Sequence, residues 1–269
     1  MNRAGLMIAF GVAAVSIAVY ALFPTLDLVV ARAFFDATTR VFPLGFNHVA
    51  AVVRDAAMWL TWAIAAPSIV ALLAKLIRPD RPMLVKGRTV AFFLITLTLS
   101  AGVLSNLAFK SNWGRPRPVS VIEFGGPWHF KPWWDPSGEC PKNCSFFSGE
   151  ASTAFWTYAP AALTPPQWQP VAFAAATVFG ALTGLLRMSF GGHFLSDVIA
   201  AGVVTFLTVW LFYALIYRWA STRVTDQDVD GALTRAFWPL FRWRLRTFAN
   251  LSPPRRTLPQ RIVEAPHDE

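Results

Sequence analysis

Three short clusters of polar residues lie next to long apolar runs, and together they contain the residue types that phosphoryl transfer requires. They occupy residues 110–118, 145–150 and 187–197. Charged side chains beside lipid are expensive to bury, so their presence at such positions indicates a function. Phosphoryl transfer is catalysed mainly by positioning and by stabilising negative charge, and the clusters offer cations, a glycine at a helix start and a histidine for that purpose.

The cations of the clusters suit a phosphate group. The planar guanidinium groups of Arg117 and Arg187 can each hold two phosphate oxygens, and Lys110 adds a compact positive charge. Ser148 and Gly149 stand at the start of a predicted helix, where backbone N–H groups and the helix dipole favour an anion and glycine lets it approach the backbone. These five residues are therefore the candidates for binding the substrate phosphate.

The third cluster also contains a histidine and a carboxylate four positions apart. If the run that begins there is helical, His193 and Asp197 share one face. A carboxylate bonded to one ring nitrogen fixes the tautomer, which leaves the other nitrogen free to attack phosphorus and form a phospho-enzyme. Gly191 and Gly192 permit the tight turn that would bring this pair beside Arg187. A lone pair of this kind is often structural, so the interpretation depends on the three clusters lying together.

The composition of the 269-residue chain indicates a membrane protein. Apolar residues make up 55 % of the chain and charged residues 14 %, whereas a soluble domain has about a quarter charged residues. Mean hydropathy is +0.44. Much of the formal net charge of +9 lies beside apolar runs, where anionic lipid head groups and membrane orientation favour it. We therefore expect no nucleic-acid partner.

Six apolar runs approach the length needed to cross a bilayer, and they predict an all-α, polytopic membrane protein with six transmembrane helices. The runs are residues 5–23, 57–77, 90–109, 150–163, 171–188 and 194–217, of which the fourth is short and contains Pro160. Residues 1–24 also resemble a signal peptide, but their apolar part exceeds the usual length of about 7–15 residues and no clear cleavage site follows. We therefore expect this run to be retained as the first helix.

Basic residues near the ends of the runs determine the predicted orientation. Many of them fall on one side of the membrane: Arg3, Lys75, Arg78, Arg81, Lys86, Arg88, Arg218 and Arg223. Because cytoplasmic loops carry an excess of Lys and Arg, that side is predicted to be cytoplasmic. Both termini would then lie inside, and the active site would be at the extracytoplasmic face. Lys110, Arg115 and Arg117 oppose the rule, which is a second indication of function.

We divide the chain into a six-helix membrane domain, residues 1–224, and a basic amphipathic cytoplasmic tail, residues 225–269. The tail mixes aromatic residues with arginines, which suits a helix on the inner leaflet, and its proline-rich end is predicted to be disordered. The first outside segment, residues 24–56, suits either an interfacial amphipathic stretch or a packing loop.

The long outside loop contains two cysteines and several tryptophans. On the oxidising side of the membrane, Cys140 and Cys144 could close a short disulfide that stiffens the loop, and free thiols are the alternative. A zinc site would need further ligands, and His129 is the only nearby imidazole. The aromatic side chains could anchor at the membrane interface or recognise a glycolipid head group; they are Trp113, Trp128, Trp133 and Trp134.

The clusters resemble the type-2 phosphatidic acid phosphatase superfamily, whose motifs are Lys, six residues, Arg-Pro; Pro-Ser-Gly-His; and Ser-Arg, five residues, His, three residues, Asp. Lys110 with Arg117-Pro118 fits the first motif, Ser148-Gly149 half of the second, and Arg187, His193 and Asp197 the third. The resemblance implies a metal-independent lipid phosphate phosphatase without a cofactor, in which His193 is the nucleophile and Asp197 its partner. Arg115 also precedes a proline but lies closer to Lys110 than the family spacing allows, so it is the reserve for Arg117.

Three positions depart from the family pattern: Phe147 replaces proline, Leu186 replaces serine, and Glu150 replaces the second-motif histidine. In the family, that histidine is the general acid that protonates the leaving oxygen. A carboxylic acid can do the same if it retains its proton near the working pH, which burial favours and nearby cations oppose. Glu150 is therefore either a substituted general acid, which we favour, or the mark of a weakened site.

The resemblance implies a phosphorylated membrane lipid as the substrate, and we expect the protein in a bacterial inner membrane with its site facing the periplasm. Family members there act on lipid A, undecaprenyl pyrophosphate and phosphatidylglycerol phosphate, and some lipid A phosphatases look similar in carrying Ser-Gly-Glu at the second motif. A lipid phosphotransferase and a non-catalytic lipid-phosphate binding protein are the alternatives. A transporter is disfavoured because the spans contain few polar residues. The sequence does not indicate the oligomeric state.

Overall fold

The computed structural model describes residues 3–251 of the chain, and within that range the structure is helical and contains no β-strand. This confirms the predicted all-α class. The helices are α1 (Arg3–Leu22), α2 (Leu26–Arg32), α3 (His48–Ile77), α4 (Gly87–Phe109), α5 (Gly149–Phe155), α6 (Tyr158–Ala162), α7 (Gln169–Ser189), α8 (Leu195–Arg218) and α9 (Asp226–Leu251).

Five of these helices are long and apolar enough to cross a membrane, namely α1, α3, α4, α7 and α8, which contain between 20 and 30 residues each. At about 1.5 Å per residue they are roughly 30–45 Å long, which is enough to cross a hydrocarbon core about 30 Å thick. Large apolar side chains such as Ile8 and Trp59 are exposed on these helices. Such surfaces are suited to contact with lipid.

The fourth predicted span, residues 150–163, is not one continuous helix. It forms the short helices α5 and α6, which are separated by Trp156 and Thr157. Pro160 explains the break, because it has no N–H to donate to the carbonyl of Trp156, and the N–H of Ala159 donates to that carbonyl instead at 2.8 Å. The structure therefore does not confirm a sixth helix of membrane length.

Helices α5 and α6 still carry the chain between the two ends of the bundle. Glu150 at the start of α5 lies beside Arg187 in the last turn of α7, whereas α7 begins at Gln169, roughly 30 Å away by helix length. Close packing holds α5 in the core, since a Cβ atom at Gly180 of α7 would lie 2.1 Å from the ring of Phe155. The start of α5 is therefore fixed at the same end of the bundle as the end of α7.

Part of the segment 24–56, which is predicted to lie outside, packs against the helix bundle. In α2 the side chains of Asp27, Leu28 and Ala31 are buried. Leu28 and Ala31 belong to a small apolar cluster that also contains Phe42 and Phe194. This arrangement favours the packing alternative over an interfacial amphipathic stretch, and it brings α2 next to the first turn of α8.

The tail helix α9 contacts the connection between α3 and α4. Asp230 forms an ion pair with the buried Lys75 at 2.9 Å. The Asp226 carboxylate accepts a hydrogen bond from the backbone N–H of Arg88 at 3.0 Å. Arg244 donates to the carbonyl of Ile77 at 2.5 Å. The described part of the predicted tail is thus docked on the end of α3 and the start of α4. Residues 252–269, which include the proline-rich end that is predicted to be disordered, lie outside the described residues.

Candidate active site

The three sequence clusters meet at one end of the helix bundle. Lys110 follows the last turn of α4, and Ser148 caps the first turn of α5. Arg187 lies in the last turn of α7, and His193 lies in the short connection from α7 to α8, whose first turn contains Asp197. The backbone at the end of α4 is wider than an α-helix, since the N–H of Lys110 donates to a carbonyl five residues earlier at 3.0 Å.

The side chain of His193 is 2 % exposed. A backbone carbonyl fixes the orientation of its ring. Its Nδ1 lies 2.8 Å from the carbonyl oxygen of Ser145, and because a carbonyl can only accept, Nδ1 carries the proton. The lone pair is then on Nε2. The Asp197 carboxylate is 3.7 Å from Nδ1, beyond hydrogen-bonding distance. The direct Asp197–His193 bond that we predicted is therefore replaced by an indirect one through Ser145.

Asp197 is completely buried and holds Ser145 in place. Its Oδ2 accepts the Ser145 hydroxyl at 2.5 Å and the N–H of Phe194 at 2.8 Å. Its Oδ1 accepts from the guanidinium of Arg115. Because Ser145 presents its hydroxyl to Asp197 and its carbonyl to His193, the carboxylate controls the position of the imidazole through one intervening residue.

Burial also determines the charge state of His193. Loss of hydration lowers the pKa of the imidazole to about 4, because burial penalises the charged form. The nearby Asp197 opposes this shift, and the cations Lys110 and Arg187 add to it. The imidazole is therefore neutral at physiological pH, which is the state that a nucleophile requires.

Arg115, the reserve for the first motif, is completely buried and lies between two carboxylates. Its Nη2 donates to Asp27 at 2.6 Å, and its Nη1 donates to the Ser196 hydroxyl at 2.8 Å and to Asp197. Burial opposes its charge, but the carboxylates of Asp197 and Asp27 together raise the pKa of Arg115 above its ordinary value. Its Nε also donates a hydrogen bond to the carbonyl of Lys131 at 2.9 Å. Arg115 therefore serves the network around His193 and Asp197.

Three cations surround the start of α5. A Cβ atom at Gly149 would lie 3.1 Å from the Lys110 ammonium nitrogen, and a Cβ atom at Gly192 would lie 2.8 Å from the Arg187 guanidinium. Burial, then Arg117 and Arg187, lower the pKa of Lys110 to about 8, while Glu150 opposes the shift. Burial and the charge of Arg187 likewise lower the pKa of Arg117. The three cations repel one another, which is the situation that a bound dianion relieves.

Arg117 and Ser148 each have a partner within the protein. Arg117 donates from Nη2 to the side-chain oxygen of Asn143 at 2.7 Å and from Nε to the Asn143 carbonyl at 3.1 Å. The buried hydroxyl of Ser148 accepts the N–H of Ala151 at 3.3 Å and caps α5. The N–H of Ser148 is 3.4 Å from the Asp197 carbonyl. Ser148 therefore fixes the start of the helix, next to Gly149.

Glu150 lies beside Arg187, one of the candidate phosphate-binding cations. Its Oε2 lies 3.4 Å from the Nε of Arg187, and both atoms are buried without a hydrogen-bond partner. The contact is therefore an electrostatic one with poor hydrogen-bond geometry. A carboxyl group at this position lies next to the place where a phosphate held by Arg187 would sit.

A disulfide bond links Cys140 to Cys144 next to these groups. The N–H of Cys144 donates to the Lys110 carbonyl at 3.2 Å, and the N–H of Cys140 donates to the Gly114 carbonyl at 2.9 Å. The loop closed by the disulfide therefore lies along the chain that follows α4, and it leads directly into Ser145. Within residues 3–251, no group of three or more His, Cys, Asp or Glu side chains is arranged to hold a metal ion.

The sequence did not identify all the residues of this network. Asp27 and Ser196 were not predicted as site residues, and no local pattern distinguishes them, because their partner Arg115 is distant in the chain from both. Ser145 belongs to the second cluster, but it acts through its carbonyl, which every residue has. The repeated Arg-Pro of residues 115–118 is the sequence signal for Arg115. Its distance from Lys110 does not fit the family motif, so the sequence ranks it below Arg117.

Comparisons with known proteins identify the family of the chain. The model of the PAP2 superfamily matches residues 89–221. The chain is 36 % identical over 200 residues to a lipid A 4′-phosphatase of Francisella tularensis subsp. novicida, which covers 74 % of this chain and 90 % of the relative.

Two further lipid A 4′-phosphatases match shorter regions of the chain. That of Rhizobium leguminosarum is 39 % identical over 104 residues, which is 39 % of this chain and 45 % of the relative. That of Rhizobium etli is 37 % identical over 113 residues, 42 % of this chain and 44 % of the relative. No solved structure matches the chain. The resemblance predicted from the three motifs is therefore confirmed, and the chain belongs to the PAP2 superfamily of membrane phosphatases.

Proposed function

We propose that this membrane lipid phosphatase removes the 4′-phosphate of lipid A through a phosphohistidine formed at His193. One observation carries the mechanism: a buried, neutral imidazole whose Nδ1 is bonded to a carbonyl lies in the same site as three mutually repelling cations. The substrate is proposed because three relatives carry the name lipid A 4′-phosphatase. The Francisella relative, of which 90 % is matched, gives the strongest support for this substrate.

In the first step, Nε2 of His193 attacks phosphorus, an Nε2–P bond forms and the bond from phosphorus to the leaving oxygen breaks. Lys110, Arg117 and Arg187 hold the phosphate oxygens and stabilise the charge that develops on them. The Nδ1–H bond to Ser145 persists, and the Asp197 carboxylate 3.7 Å away stabilises the positive charge on the ring.

The leaving oxygen takes a proton from Glu150. A phosphate held by Arg187 would bring the leaving oxygen close to this carboxyl group, whose Oε2 lies 3.4 Å from the Arg187 Nε. In the second step Glu150, now a carboxylate, accepts a proton from water as the water attacks the phosphohistidine, and the Nε2–P bond breaks. Inorganic phosphate, neutral His193 and protonated Glu150 are regenerated.

An apolar groove supports a lipid substrate. A cavity of about 940 Å³ lies between α1, α7 and α8, and its lining includes Met188 and Leu195, which flank the segment that contains His193. Its polar members bond to the protein: Tyr158 and Thr177 to each other at 3.0 Å, and the Gln169 amide to two backbone carbonyls. The groove therefore suits an acyl chain rather than a polar solute.

The groove can be tested by filling it. Ala181 lies in its lining on α7 and is exposed, so Ala181→Trp should raise the KM for the lipid without changing the turnover of a short water-soluble phosphomonoester. Val70→Trp, at an exposed position of α3 outside the groove, is the matched control. Equal KM values for the lipid in both variants would contradict the assignment.

We place the active site on the extracytoplasmic face of a bacterial inner membrane, with both termini inside. The distribution of basic residues supports this orientation, because Arg3, Arg218 and the connection from α3 to α4 lie away from the site and carry most of the charge that the orientation rule counts. Labelling of single cysteines at either end of α8 with a membrane-impermeant reagent would test the orientation.

The function is tested by phosphate release from purified protein in the presence of EDTA. The panel contains lipid A with separate 1- and 4′-phosphates, undecaprenyl pyrophosphate, phosphatidic acid and phosphatidylglycerol phosphate. We expect inorganic phosphate from the 4′ position, no release by His193→Ala, and normal release by His129→Ala, since His129 is an exposed histidine of the outside loop. Transfer of the phosphate to another lipid would indicate a phosphotransferase, and binding without release would indicate a non-catalytic protein.

A further inference from the structure

Asp27 lies in α2, far from the three clusters in sequence, yet it is 1 % exposed and bonded to groups that touch the candidate catalytic residues. Its Oδ2 accepts from Arg115 Nη2 at 2.6 Å and from the Ser196 hydroxyl at 2.5 Å. Its Oδ1 accepts the N–H of Ser196 at 3.0 Å. Both oxygens are therefore used by residues that also border Asp197.

These contacts place Arg115 between two carboxylates. Its Nη1 faces Asp197 and its Nη2 faces Asp27, and all three side chains are buried. Breaking a buried charged network on one side leaves a buried donor and an uncompensated charge. If Asp27 lost its charge, Arg115 would have a single anionic partner, and the guanidinium would be free to rotate toward it.

The consequence reaches the nucleophile through two hydrogen bonds. Asp197 positions Ser145 through its hydroxyl at 2.5 Å, and Ser145 orients His193 through its carbonyl at 2.8 Å. A shift of the carboxylate is therefore passed to the imidazole. The guanidinium of Arg115 also stacks 4.5 Å from the ring of Phe194, so the residue next to His193 is fixed by the same cation.

The phosphate-binding cations do not belong to this network. Lys110 and Arg187 lie around Gly149 and Gly192, and Arg117 bonds to Asn143. Within the described part of the chain, the hydrogen bonds of Asp27 go to Arg115 and Ser196 and not to these cations. A defect at Asp27 should therefore affect the orientation of the nucleophile and leave phosphate binding intact.

We propose that Asp27 is a positioning residue for the phosphatase reaction, which holds Arg115 and the first turn of α8 so that Asp197 and Ser145 keep His193 aligned. The first outside segment is then part of the active-site support. This inference rests on the proposed role of His193 as the nucleophile.

The test variant is Asp27→Asn, which keeps the shape of the side chain and removes its charge. We expect kcat for phosphate release to fall by about 100-fold, the loss that a misplacement of about 1 Å can cause. The KM and the inhibition constant for inorganic phosphate should stay within twofold of the wild type. A purely structural residue would lower the melting temperature without separating kcat from KM in this way.

Three controls define the result. Asp36→Asn alters an exposed carboxylate of the same segment that bonds to Thr38 and Thr39, and it should leave the kinetics unchanged. The double variant with Arg115→Gln should be no slower than Arg115→Gln alone, because Asp27 acts through Arg115. If Asp27→Asn does not fold, Asp27→Glu retains the charge but displaces it, and it should show the same loss of kcat at constant KM.

The outcomes separate this inference from the proposed function. If His193→Ala remains active, the proposed mechanism is wrong. If His193→Ala is inactive and Asp27→Asn, folded by its melting curve, keeps its kcat within twofold, the positioning role is wrong and the phosphatase mechanism stands. A loss of phosphate affinity in Asp27→Asn equal to the loss of kcat would also overturn the positioning role.

Discussion

Activity should decline on the alkaline side of neutrality because Lys110 loses its charge there. Burial, followed by the charges of Arg117 and Arg187, lowers the pKa of Lys110 to about 8 from its ordinary value of 10.5, with Glu150 acting in the opposite direction. A lysine is charged below its pKa. A lowered pKa therefore removes the charge of this proposed phosphate ligand as the pH rises through about 8, while the two arginines remain charged.

The size of the effect follows from the titration curve. The value of kcat/KM reports on ionisations of the free enzyme, and one pH unit above a pKa only about a tenth of the molecules remain protonated. We therefore expect kcat/KM at pH 9 to be about tenfold below its plateau. On the acid side, the pKa of His193 near 4 keeps the imidazole neutral, so the acid limb should follow the second ionisation of the substrate phosphate, near pH 6.

The assay is the initial rate of phosphate release at substrate concentrations below KM, from about pH 5 to pH 10, for the wild type and Lys110→Arg. Because arginine stays charged over this range, the variant should lose the alkaline limb at pH 8. Lys142→Arg, an exposed lysine of the same outside loop, should retain it. A limb at pH 8 that persists in Lys110→Arg would refute the assignment to Lys110.

Three further predictions concern the acid, the disulfide and the tail. Glu150→Gln should lower kcat about 100-fold at neutral pH with little change in KM, as expected for loss of a general acid; an unchanged kcat would exclude that role. Replacing Cys140 and Cys144 by serine should destabilise the protein by about 2 kcal/mol for so short a loop, measured by denaturation in detergent; an unchanged stability would contradict it. Asp230→Asn should lower the melting temperature by several degrees by unpairing the buried Lys75, without changing kcat/KM; a loss of activity at constant melting temperature would contradict a purely structural role.

The sequence could predict much of the fold because helices in a membrane must be long, apolar and internally hydrogen-bonded. The runs at residues 5–23 and 171–188 correspond closely to α1 and α7. The fourth run could not be assigned correctly from hydropathy, because its interruption depends on one missing N–H at Pro160 and on burial between α7 and α8. A short apolar run is equally consistent with a spanning helix and with two buried turns.

Some residues of the candidate site could likewise be predicted from the sequence, and others could not. Motif spacing predicted Lys110, Arg187 and His193 as candidates, because each lies at or within two residues of the end of a helix. The partners of Asp197 could not be predicted, because Arg115 and Ser145 reach it through tertiary contacts. The i, i+4 spacing correctly brings the His193 and Asp197 side chains near one another but gives no information on the carbonyl that separates them.

The central claim is that phosphate passes through His193. The most direct measurement is to mix the purified enzyme with lipid A labelled with ³²P at the 4′ position, quench within one turnover, and locate the label by peptide mass spectrometry. We predict an acid-labile, alkali-stable phosphate on His193, absent from His193→Ala, whose appearance precedes the release of inorganic phosphate. Release of labelled phosphate with no protein-bound label at any time point, or label on a residue other than His193, would contradict the account.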